Sequence, residues 1–407
     1  MLPRWTRPAA AVLALALVLS APPAFAASLP ARVGLVSFTG ASLTSSGATL
    51  TIAWPAAAGA TSYVVFASTS FDGVTTQTTP VATSTRTSAT ITHLLPGRDY
   101  FVQVRGVSAA GRGAPSLRVG HGTIAAEASA SALASHKTVS GLKVMTWNIC
   151  SNACSNFTVR RGVINTRIAE LAPGVVGMEE GSKYTTAPSG YAFGYKGQNV
   201  ILYRTAQFTS VKKGTTIAHG AATFASVYAS AGHGVSWAAL RNRANGAFLV
   251  VFDVHLRAGT TVALQKQREY EAGRLGPYIA AVYSQLKTKF GSITNWANAG
   301  PVVVGDFNTN KSHPTDTTQS ILRRAGWLDS FDQAHHLTRQ HYNSANPTWS
   351  LYPVIGERWG DDVDKLVVKP SHTVVLSWAN VGKMSGGRFV APLGSDHHPL
   401  MFVISVF

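Results

Sequence analysis

Cysteine, acidic side chains and long apolar runs are all scarce in this chain. Only two of the 407 residues are cysteine, which excludes a disulfide-dense scaffold and a cysteine-rich zinc module. The chain has 18 Asp and Glu but 35 Lys and Arg, so its formal net charge is +17 and polyanions suit it better than basic ligands. Beyond its first segment, no apolar stretch is long enough to span a bilayer.

Apolar and aromatic residues, in contrast, are plentiful. Hydrophobic residues make up 45% of the chain, with 17 Phe, 12 Tyr and 9 Trp, which argues against a disordered protein. A chain of this length is expected to form two or three domains, each large enough to bury its own core.

Residues 1–27 have the pattern of a secretory signal peptide. Two arginines precede an apolar run over residues 9–19, and Ala24-Phe25-Ala26 is a small-x-small cleavage pattern. The run is too short for a membrane-spanning helix, and Pro22-Pro23 prevent its extension as a helix. We therefore predict a secreted, extracellular protein with no integral membrane segment after signal cleavage.

Export bears on the interpretation of Cys150 and Cys154. In an oxidising compartment the two thiols are expected to form a disulfide across a short loop, and two free buried thiols are the alternative. A ring this small removes little chain entropy, so the bridge would shape the loop more than it stabilises the fold.

Residues 28–121 have the pattern of a β-sandwich. Short runs such as residues 48–54 and 62–67 alternate with period two, and Gly or Pro separates them. The segment 94–100, with the sequence LLPGRDY, resembles the tyrosine corner of fibronectin type III domains, and Trp54 stands where that family has its core tryptophan. The resemblance implies an all-β, immunoglobulin-like domain that is a spacer or contacts a polymer or a surface.

The remaining chain changes composition twice. Residues 122–141 are rich in Ala and Ser and are predicted to be a flexible linker, with a helical turn as the alternative. Residues 142–407 alternate apolar strands with helical segments, including a long helix predicted over residues 262–289. The fold class is therefore multidomain, with an all-β sandwich followed by an α/β sandwich.

Polar residues recur at the carboxyl ends of the apolar strands of this last region. They are Asn148, Glu179-Glu180, His255, and Asp306 with Asn308, and Asp396-His397 precede the last strand. In α/β sheets these ends form the binding crevice, so the side chains are expected to meet there. Amide and carboxylate oxygens suit Mg²⁺, Mn²⁺ or Ca²⁺, and a histidine supplies a base near neutral pH. The set favours metal-assisted attack on phosphorus.

Six motifs in order resemble those of the endonuclease/exonuclease/phosphatase superfamily. They are Trp147-Asn148, residues 178–180, residues 253–256, residues 305–308, residues 362–364 and residues 395–399. Each motif is weak alone, and their order and spacing carry the resemblance. It covers residues 142–407 and implies the four-layer, DNase I-like α/β sandwich and a phosphoric ester hydrolase.

The resemblance also implies a role for each matching residue. Asn148, Glu180 and Asp396 would hold the metal, with Glu179 secondary. Asp306 and Asn308 would orient the attacking water and the phosphoryl group, and His397 would transfer a proton with Asp364 fixing its tautomer. His255 would protonate the leaving oxygen, and Asn199 matches a substrate-binding position. Residues 196–199 lack the acid that supports the first histidine in one branch of the family, so no orienter of His255 is identified.

Nucleic acid is the substrate that charge favours. From residue 142 onward the formal charge is +11, which predicts long-range attraction to a phosphate backbone. The expected groove comprises Arg160-Arg161, Lys212-Lys213, Arg241, Arg243 and Arg323-Arg324. The alternatives are a sphingomyelinase-like phospholipase C, for which residues 349–353 are the candidate apolar wedge, a phosphomonoesterase, and a binding protein with an inactive site.

Overall fold

The structure is a computed structural model that describes residues 28–135, 137–223, 233–313, 315–355 and 358–407. The predicted signal peptide, residues 1–27, lies outside the described residues. Among the helices that the structure describes, none is both long and apolar enough to cross a bilayer.

The first part of the chain is a β-sandwich. Its strands are β1 (Ser37–Thr44), β2 (Gly47–Ala53), β3 (Ser62–Ser68), β4 (Ala82–Ser84), β5 (Ser88–Leu94), β6 (Asp99–Ser108), β7 (Gly111–Arg112) and β8 (Val119–Gly122), with one 3₁₀ turn at Gly73–Thr75. Strands β1, β2 and β5 form one layer, and β4, β3, β6, β7 and β8 form the other.

Two aromatic residues anchor this sandwich as the sequence predicts. Trp54 is buried and packs edge-on against Tyr63, with 5.4 Å between the ring centroids. The Tyr100 hydroxyl accepts a hydrogen bond from the Leu95 amide at 3.1 Å, which is the contact expected of a tyrosine corner. Both residues therefore serve the core.

The second part begins with a short helix, followed by ten strands and one longer helix. These elements are α1 (Ala130–Ser135), β9 (Val139–Thr146), α2 (Phe157–Leu171), β10 (Val175–Met178), β11 (Tyr191–Tyr195), β12 (Val200–Arg204), β13 (Phe208–Ser210), β14 (Lys212–Lys213), β15 (Thr216–Ile217), β16 (His219–Thr223), β17 (Gly234–Asn242) and β18 (Phe248–His255).

The long helix and the remaining elements complete it. They are α3 (Val262–Phe290), a 3₁₀ turn at Trp296–Asn298, β19 (Gly300–Asp306), α4 (Thr318–Arg324), β20 (Leu328–Asp329), α5 (Ser330–Gln333), β21 (His336–Thr338), β22 (Asp364–Val368), β23 (Thr373–Asn380), β24 (Met384–Ser385), β25 (Arg388–Phe389) and β26 (Leu400–Val406).

These elements stack in four layers, as predicted. One sheet contains β11, β12, β10, β9, β26, β23 and β21 in that order, and the other contains β13, β17, β18, β19, β22 and β20, with β16 beside β17. Apolar side chains such as Val144, Val251 and Phe402 fill the space between the sheets. Helix α2 covers the outer face of the first sheet, and α3 covers the outer face of the second.

Strand direction brings the polar strand ends together. Strands β18 and β19 are parallel and place His255 opposite Asp306. Strand β22 runs antiparallel to β19 and begins with Asp364 opposite Asp306. Strands β9 and β10 are also parallel, so the segments that follow them leave the sheet at one edge.

The sandwich and the four-layer part share one sheet. Gly40 in β1 pairs with His336 in β21, which makes the first sheet ten strands long. One cluster of buried apolar side chains includes Phe38 of the sandwich and Trp378 of the four-layer part. Thr123 and Ile124, at the start of the predicted linker, are fully buried. The chain between the two parts is thus docked where it begins.

Candidate functional site

The Asn148 side chain joins two carboxylates from different parts of the chain. Its amide nitrogen donates to Glu180 Oε1 at 3.1 Å and to Asp306 Oδ2 at 3.0 Å. The side-chain oxygen of Asn148 accepts a bond from the Cys150 amide at 3.1 Å, which fixes the orientation of the amide. Asn148 is 2% exposed, so this arrangement is shielded from bulk water.

His397 and Asp364 form a close ion pair beside this group. The distance between His397 Nδ1 and Asp364 Oδ2 is 2.8 Å, and Asp364 is buried. Burial alone would lower the pKa of His397, but the carboxylates of Asp364, Asp306 and Asp396 overcome this effect and raise the pKa to about 10. Because Asp364 holds Nδ1, the other ring nitrogen is the one available for proton transfer.

Asp306 links the Asn148 contacts to the pair formed by His397 and Asp364. Potential ligand atoms of Asp306, Asp364 and His397 all lie within 4.8 Å of one another. The second carboxylate oxygen of Asp306, Oδ1, accepts a hydrogen bond from the backbone amide of Asn308 at 2.8 Å. Asn308 itself has a positive φ of 50° and donates from its side chain to the Leu256 carbonyl at 3.0 Å. The bend therefore keeps Asn308 at the site next to the strand that carries His255.

His255 lies on the other side of Asp306 and contacts a second histidine. Its Nε2 is 3.7 Å from Asp306 Oδ2, and its ring centroid is 4.7 Å from that of His233. Burial, followed by the neighbouring His255 and Arg257, lowers the pKa of His233 to about 4. The groups found beside His255 are thus Asp306 and His233, and no sequence motif identified His233.

Glu180 follows β10 in a left-handed bend with a φ of 53°. Its carbonyl accepts a hydrogen bond from the Ser151 amide at 2.9 Å, which ties Glu180 to the loop after Asn148. That loop contains the disulfide between Cys150 and Cys154. The two segments that carry Asn148 and Glu180 are therefore fastened to each other.

The Arg160 side chain holds the loop over residues 149–155 by hydrogen bonds to its backbone. Its guanidinium donates to the carbonyls of Ser155, Ile149, Gly394, Cys150 and Cys154 at 2.8–3.0 Å. Because Gly394 precedes Asp396 and His397, one buried side chain holds two of the segments that build the site. The prediction that Arg160 lines a nucleic-acid groove is wrong, since it is 5% exposed and its donors are used by the backbone.

Glu179 and Asp253 form a buried acidic pair between the two sheets. Burial, and then the charge of Asp253, raises the pKa of Glu179 well above its ordinary value. Burial also raises the pKa of Asp253, to about 7. The Met178 amide donates to Asp253 at 3.0 Å, and Thr146 donates to Glu179 at 2.9 Å. Glu179 thus faces the interior, whereas Glu180 faces the site.

Two of the expected site residues lie outside the central group. The Asp396 carboxylate lies within 4.8 Å of the disulfide sulfurs and accepts a bond from its neighbour Ser395 at 3.0 Å. The Asn199 amide donates to the carbonyls of Gly234 at 3.2 Å and Asp253 at 3.0 Å. Asn199 therefore braces the sheets, and its amide hydrogens are not directed at a substrate.

The donor set suits a divalent cation. Glu180 and Asp306 supply carboxylate oxygens that meet at the Asn148 amide. Asp364 Oδ1 is buried and has no hydrogen-bond partner among the described residues. Carboxylate oxygens without a thiolate are typical of sites for hard cations such as Mg²⁺.

Other basic residues of the expected groove lie away from this group. Arg241 and Arg243 are at the end of β17 and its turn, whereas Gly234 at the other end pairs with His255. Arg241 is seven positions along the strand from Gly234, a distance of about 23 Å. Arg323 is in α4 beside the sandwich and contributes to the electrostatic environment of Asp99.

An exposed apolar loop borders the site instead. Its large apolar side chains are Trp349 (37% exposed), Leu351 (36%), Tyr352 (59%), Val354 (47%) and Ile355 (42%). The Asn346 side chain forms two hydrogen bonds with the Ser350 backbone at the base of this loop. The backbone amide of Asn346 donates to the Asp396 carbonyl. Ala345 pairs with His397, so the loop is attached to the segment that carries His397.

Comparison with known proteins identifies the sandwich. Residues 36–120 match the family model described as the fibronectin type III domain, which confirms the prediction for this part of the chain. No curated protein matches the chain.

Solved structures resemble the four-layer part. An endonuclease/exonuclease/phosphatase family protein from Bacteroides thetaiotaomicron has a TM-score of 0.47 and 18% identity, and the match covers 67% of this chain and 97% of that one. A mannosyl-6-phosphatase from the same species has a TM-score of 0.47 and 18% identity, over 65% and 100% of the two chains. The human Nocturnin catalytic domain has a TM-score of 0.42 and 14% identity, over 68% and 99%. With TM-scores below 0.5, these likenesses leave the function to be decided by the site.

Proposed function

We propose that residues 142–407 hydrolyse phosphoesters with the help of a divalent cation. The observation that supports this most directly is the meeting of Asp306, Asp364 and His397 within 4.8 Å, with Asn148 joining Asp306 to Glu180. The site is an oxygen-lined group beside an imidazole, which is suited to in-line attack of water on phosphorus.

Each residue of the site has a role in the proposed reaction that follows from its position. Asp364 keeps the His397 ring in one tautomer, so the free nitrogen of His397 exchanges a proton with the attacking water. Asp306 and Asn308 orient that water and the phosphoryl group, and His255 donates to the leaving oxygen. Glu180 and Asp306 would hold Mg²⁺, or Mn²⁺ or Ca²⁺, and Asn148 would support that site by keeping the two carboxylates in place. When bound, the cation supplies positive charge that stabilises the phosphoryl oxygens and lowers the pKa of His397.

Nucleic acid is the substrate that we propose first. The four-layer part has a formal charge of +11, and several of its acids are buried at the site, which leaves the rest of the surface more basic. A secreted nuclease is the consequence if residues 1–27 are cleaved as a signal peptide. Cleavage of duplex DNA is then expected to fall steeply between about 50 and 200 mM salt.

A phospholipid is the second candidate, and the loop at residues 349–355 favours it. Five exposed apolar side chains beside a phosphoester site are suited to contact with a lipid surface. Arg388 lies 4.4 Å from the Tyr352 ring centroid and adds a positive charge next to this loop.

The test is a panel of substrates with and without a chelator. Plasmid DNA, RNA, sphingomyelin vesicles and p-nitrophenyl phosphate are each incubated with wild-type protein, His397→Ala and His372→Ala. His372 is a matched control because it lies at the far end of β23 from the site. We expect chelator-sensitive nicking of DNA, a loss of about 10³-fold in His397→Ala and no loss in His372→Ala.

The outcomes separate the candidates. Phosphocholine release without nicking of DNA would assign the lipid, and hydrolysis of the monoester alone would assign a phosphomonoesterase. In the lipid case, Tyr352→Ser should slow vesicle hydrolysis, whereas Val81→Ser, at an exposed position of the sandwich, should not. No hydrolysis of any substrate, or full activity of His397→Ala, would refute the proposed function.

A further inference from the structure

The Lys311 ammonium lies between the sandwich and the four-layer part. Its Nζ is 2.7 Å from Asp99 Oδ1 at the start of β6 and 2.5 Å from Asp332 Oδ2 in α5. The Lys311 side chain is 10% exposed. Burial alone would lower the pKa of Lys311, but Asp332 and Asp99 raise it to about 12, so the ammonium keeps its charge.

Lys311 belongs to the loop that follows the catalytic strand β19. It is three residues beyond Asn308, whose amide donates to Asp306 at 2.8 Å. Next to it, Ser312 donates from its hydroxyl to the Gly360 carbonyl at 2.8 Å, in the segment that leads to Asp364. A displacement of Lys311 would therefore move both the segment with Asp306 and Asn308 and the segment that leads to Asp364.

The sandwich fixes this position from outside the catalytic fold. Asp99 supplies one of the two negative charges that face the buried ammonium, and removing one partner of such a group is costly. Further contacts between the two parts fix the position of Asp99 relative to Lys311. The ring centroids of Phe101 and Trp359 are 4.9 Å apart, and the Gly122 backbone amide donates to Asp332 at 3.1 Å. Contacts from both parts of the molecule thus surround the ion pair.

We propose that Asp99 of the fibronectin type III domain is a positioning residue for the catalytic loop and acts on Asp306 and Asn308 through Lys311. On this view the sandwich is part of the catalytic unit, in addition to any spacer or binding role. Turnover and Mg²⁺ binding as readouts rest on the proposed function, whereas loop exchange does not.

The experiment compares Asp99→Asn and Asp99→Glu with the control Asp72→Asn. Asp72 belongs to the same domain and pairs with Arg118 at 3.0 Å, but its side chain is 92% exposed. Three quantities are measured on the full chain: Mg²⁺ binding by calorimetry, hydrogen exchange of the peptide covering residues 306–313, and kcat with KM on bis(p-nitrophenyl) phosphate.

We expect Asp99→Asn to weaken Mg²⁺ binding about tenfold, to speed exchange in residues 306–313 and to lower kcat about tenfold with little change in KM. Asp99→Glu keeps the charge and should recover most of each loss, and Asp72→Asn should match the wild type. A purely structural role of Asp99 would lower the melting temperature and leave Mg²⁺ affinity and loop exchange of the folded protein unchanged.

The proposal is overturned if Asp99→Asn and Asp72→Asn give the same Mg²⁺ affinity and the same exchange in residues 306–313. Should Asp99→Asn fail to fold, Lys311→Gln takes its place, and wild-type values in that variant would be equally decisive. A wild-type protein that hydrolyses no phosphoester would refute the proposed function, while loop exchange would still test the role of Asp99.

Discussion

At the scale of single residues, two carboxylates keep the His313 side chain protonated. His313 lies outside the group formed by Asp306, Asp364 and His397. Its Nδ1 is 3.9 Å from Asp316 Oδ2, and its Nε2 is 3.3 Å from Asp361 Oδ1. Asp316, and then Asp361, raise the pKa of His313 to about 9. Asp316 also forms a fully buried ion pair with Arg268 at 3.0 Å, so His313 joins a fixed network.

This raised pKa predicts a stability that depends on pH. The unfolded histidine has a pKa of about 6.5, so the protonated, paired form stabilises the fold fully below that pH. The stabilisation is lost as the pH rises through about 9. We expect the wild type to lose about 2 kcal/mol more than His313→Gln between about pH 6 and pH 10, after allowance for solvent screening. Urea unfolding at several pH values measures this, and parallel curves for the two proteins would contradict it.

Residue types at strand ends could be predicted from the sequence because strand direction alone brings them to one edge. Asn148, Asp306 and His397 come together in this way, whereas only the family resemblance pointed to Asp364, which begins β22. Contacts through loops could not be predicted. Arg160 looks like any surface arginine in the sequence, and only folding reveals that five carbonyls surround it.

At the scale of elements, one glycine decides whether strand β19 can deliver Asp306. Gly305 has a φ of 149°, and a Cβ at this position would lie 1.8 Å from the Val254 carbonyl oxygen of the neighbouring strand. That oxygen belongs to the backbone of β18, so it cannot move aside as a flexible side chain would. Any side chain at this position must push β18 and β19 apart.

Gly305→Ala is therefore expected to lower the free energy of unfolding by about 4 kcal/mol, since it strains the backbone and disturbs the pairing of two central strands. Gly162→Ala is the matched control. Gly162 lies inside helix α2 with open space around its Cα, so alanine there should stabilise the protein by about 1 kcal/mol. Urea unfolding compares the two, and equal effects would show that the close approach at Gly305 is unimportant.

Periodic elements were the most predictable part of the fold. The helix predicted over residues 262–289 is observed at Val262–Phe290, with Thr261 capping the Leu264 amide. Its apolar residues recur at helical spacing and cover one sheet, so the sequence itself carries the signal. Residues 122–141 lack such a signal, and the burial of Thr123 and Ile124 depends on a surface that other parts of the chain supply.

At the scale of the whole molecule, the two folded parts share a core. The cluster that contains Phe38 and Leu50 of the sandwich also contains Val304 and Phe402 of the four-layer part. Sharing of apolar contacts couples the unfolding of one part to that of the other.

Calorimetry should accordingly show a single main unfolding transition for the full chain. Loss of the sandwich would expose apolar surface of the four-layer part, and loss of the latter would leave β1 without the β21 partner. Asp99→Asn should shift this transition without splitting it, because the shared sheet remains. Two well-separated transitions in the wild type would contradict the shared core.

The sequence predicted both folds but placed a flexible linker between them, with the sandwich as a spacer or a binding module. Each fold is encoded by local periodicity, which single segments reveal. Their docking depends on the shared apolar cluster, on the strand pairing of Gly40 with His336 and on ion pairs such as Asp99 with Lys311, all of which join distant parts of the chain. Single residues carry no periodic signal, so the sequence could not indicate this arrangement.

The ten-stranded sheet has a practical consequence for shortened versions of the protein. A polypeptide that began after residue 136 would leave the β21 edge bare, together with Trp359 and Phe331, which now pack against Phe101 and His121. Unprotected strand edges beside apolar patches recruit other molecules. Such a fragment is expected to self-associate, so the fibronectin type III domain cannot be exchanged as a cassette.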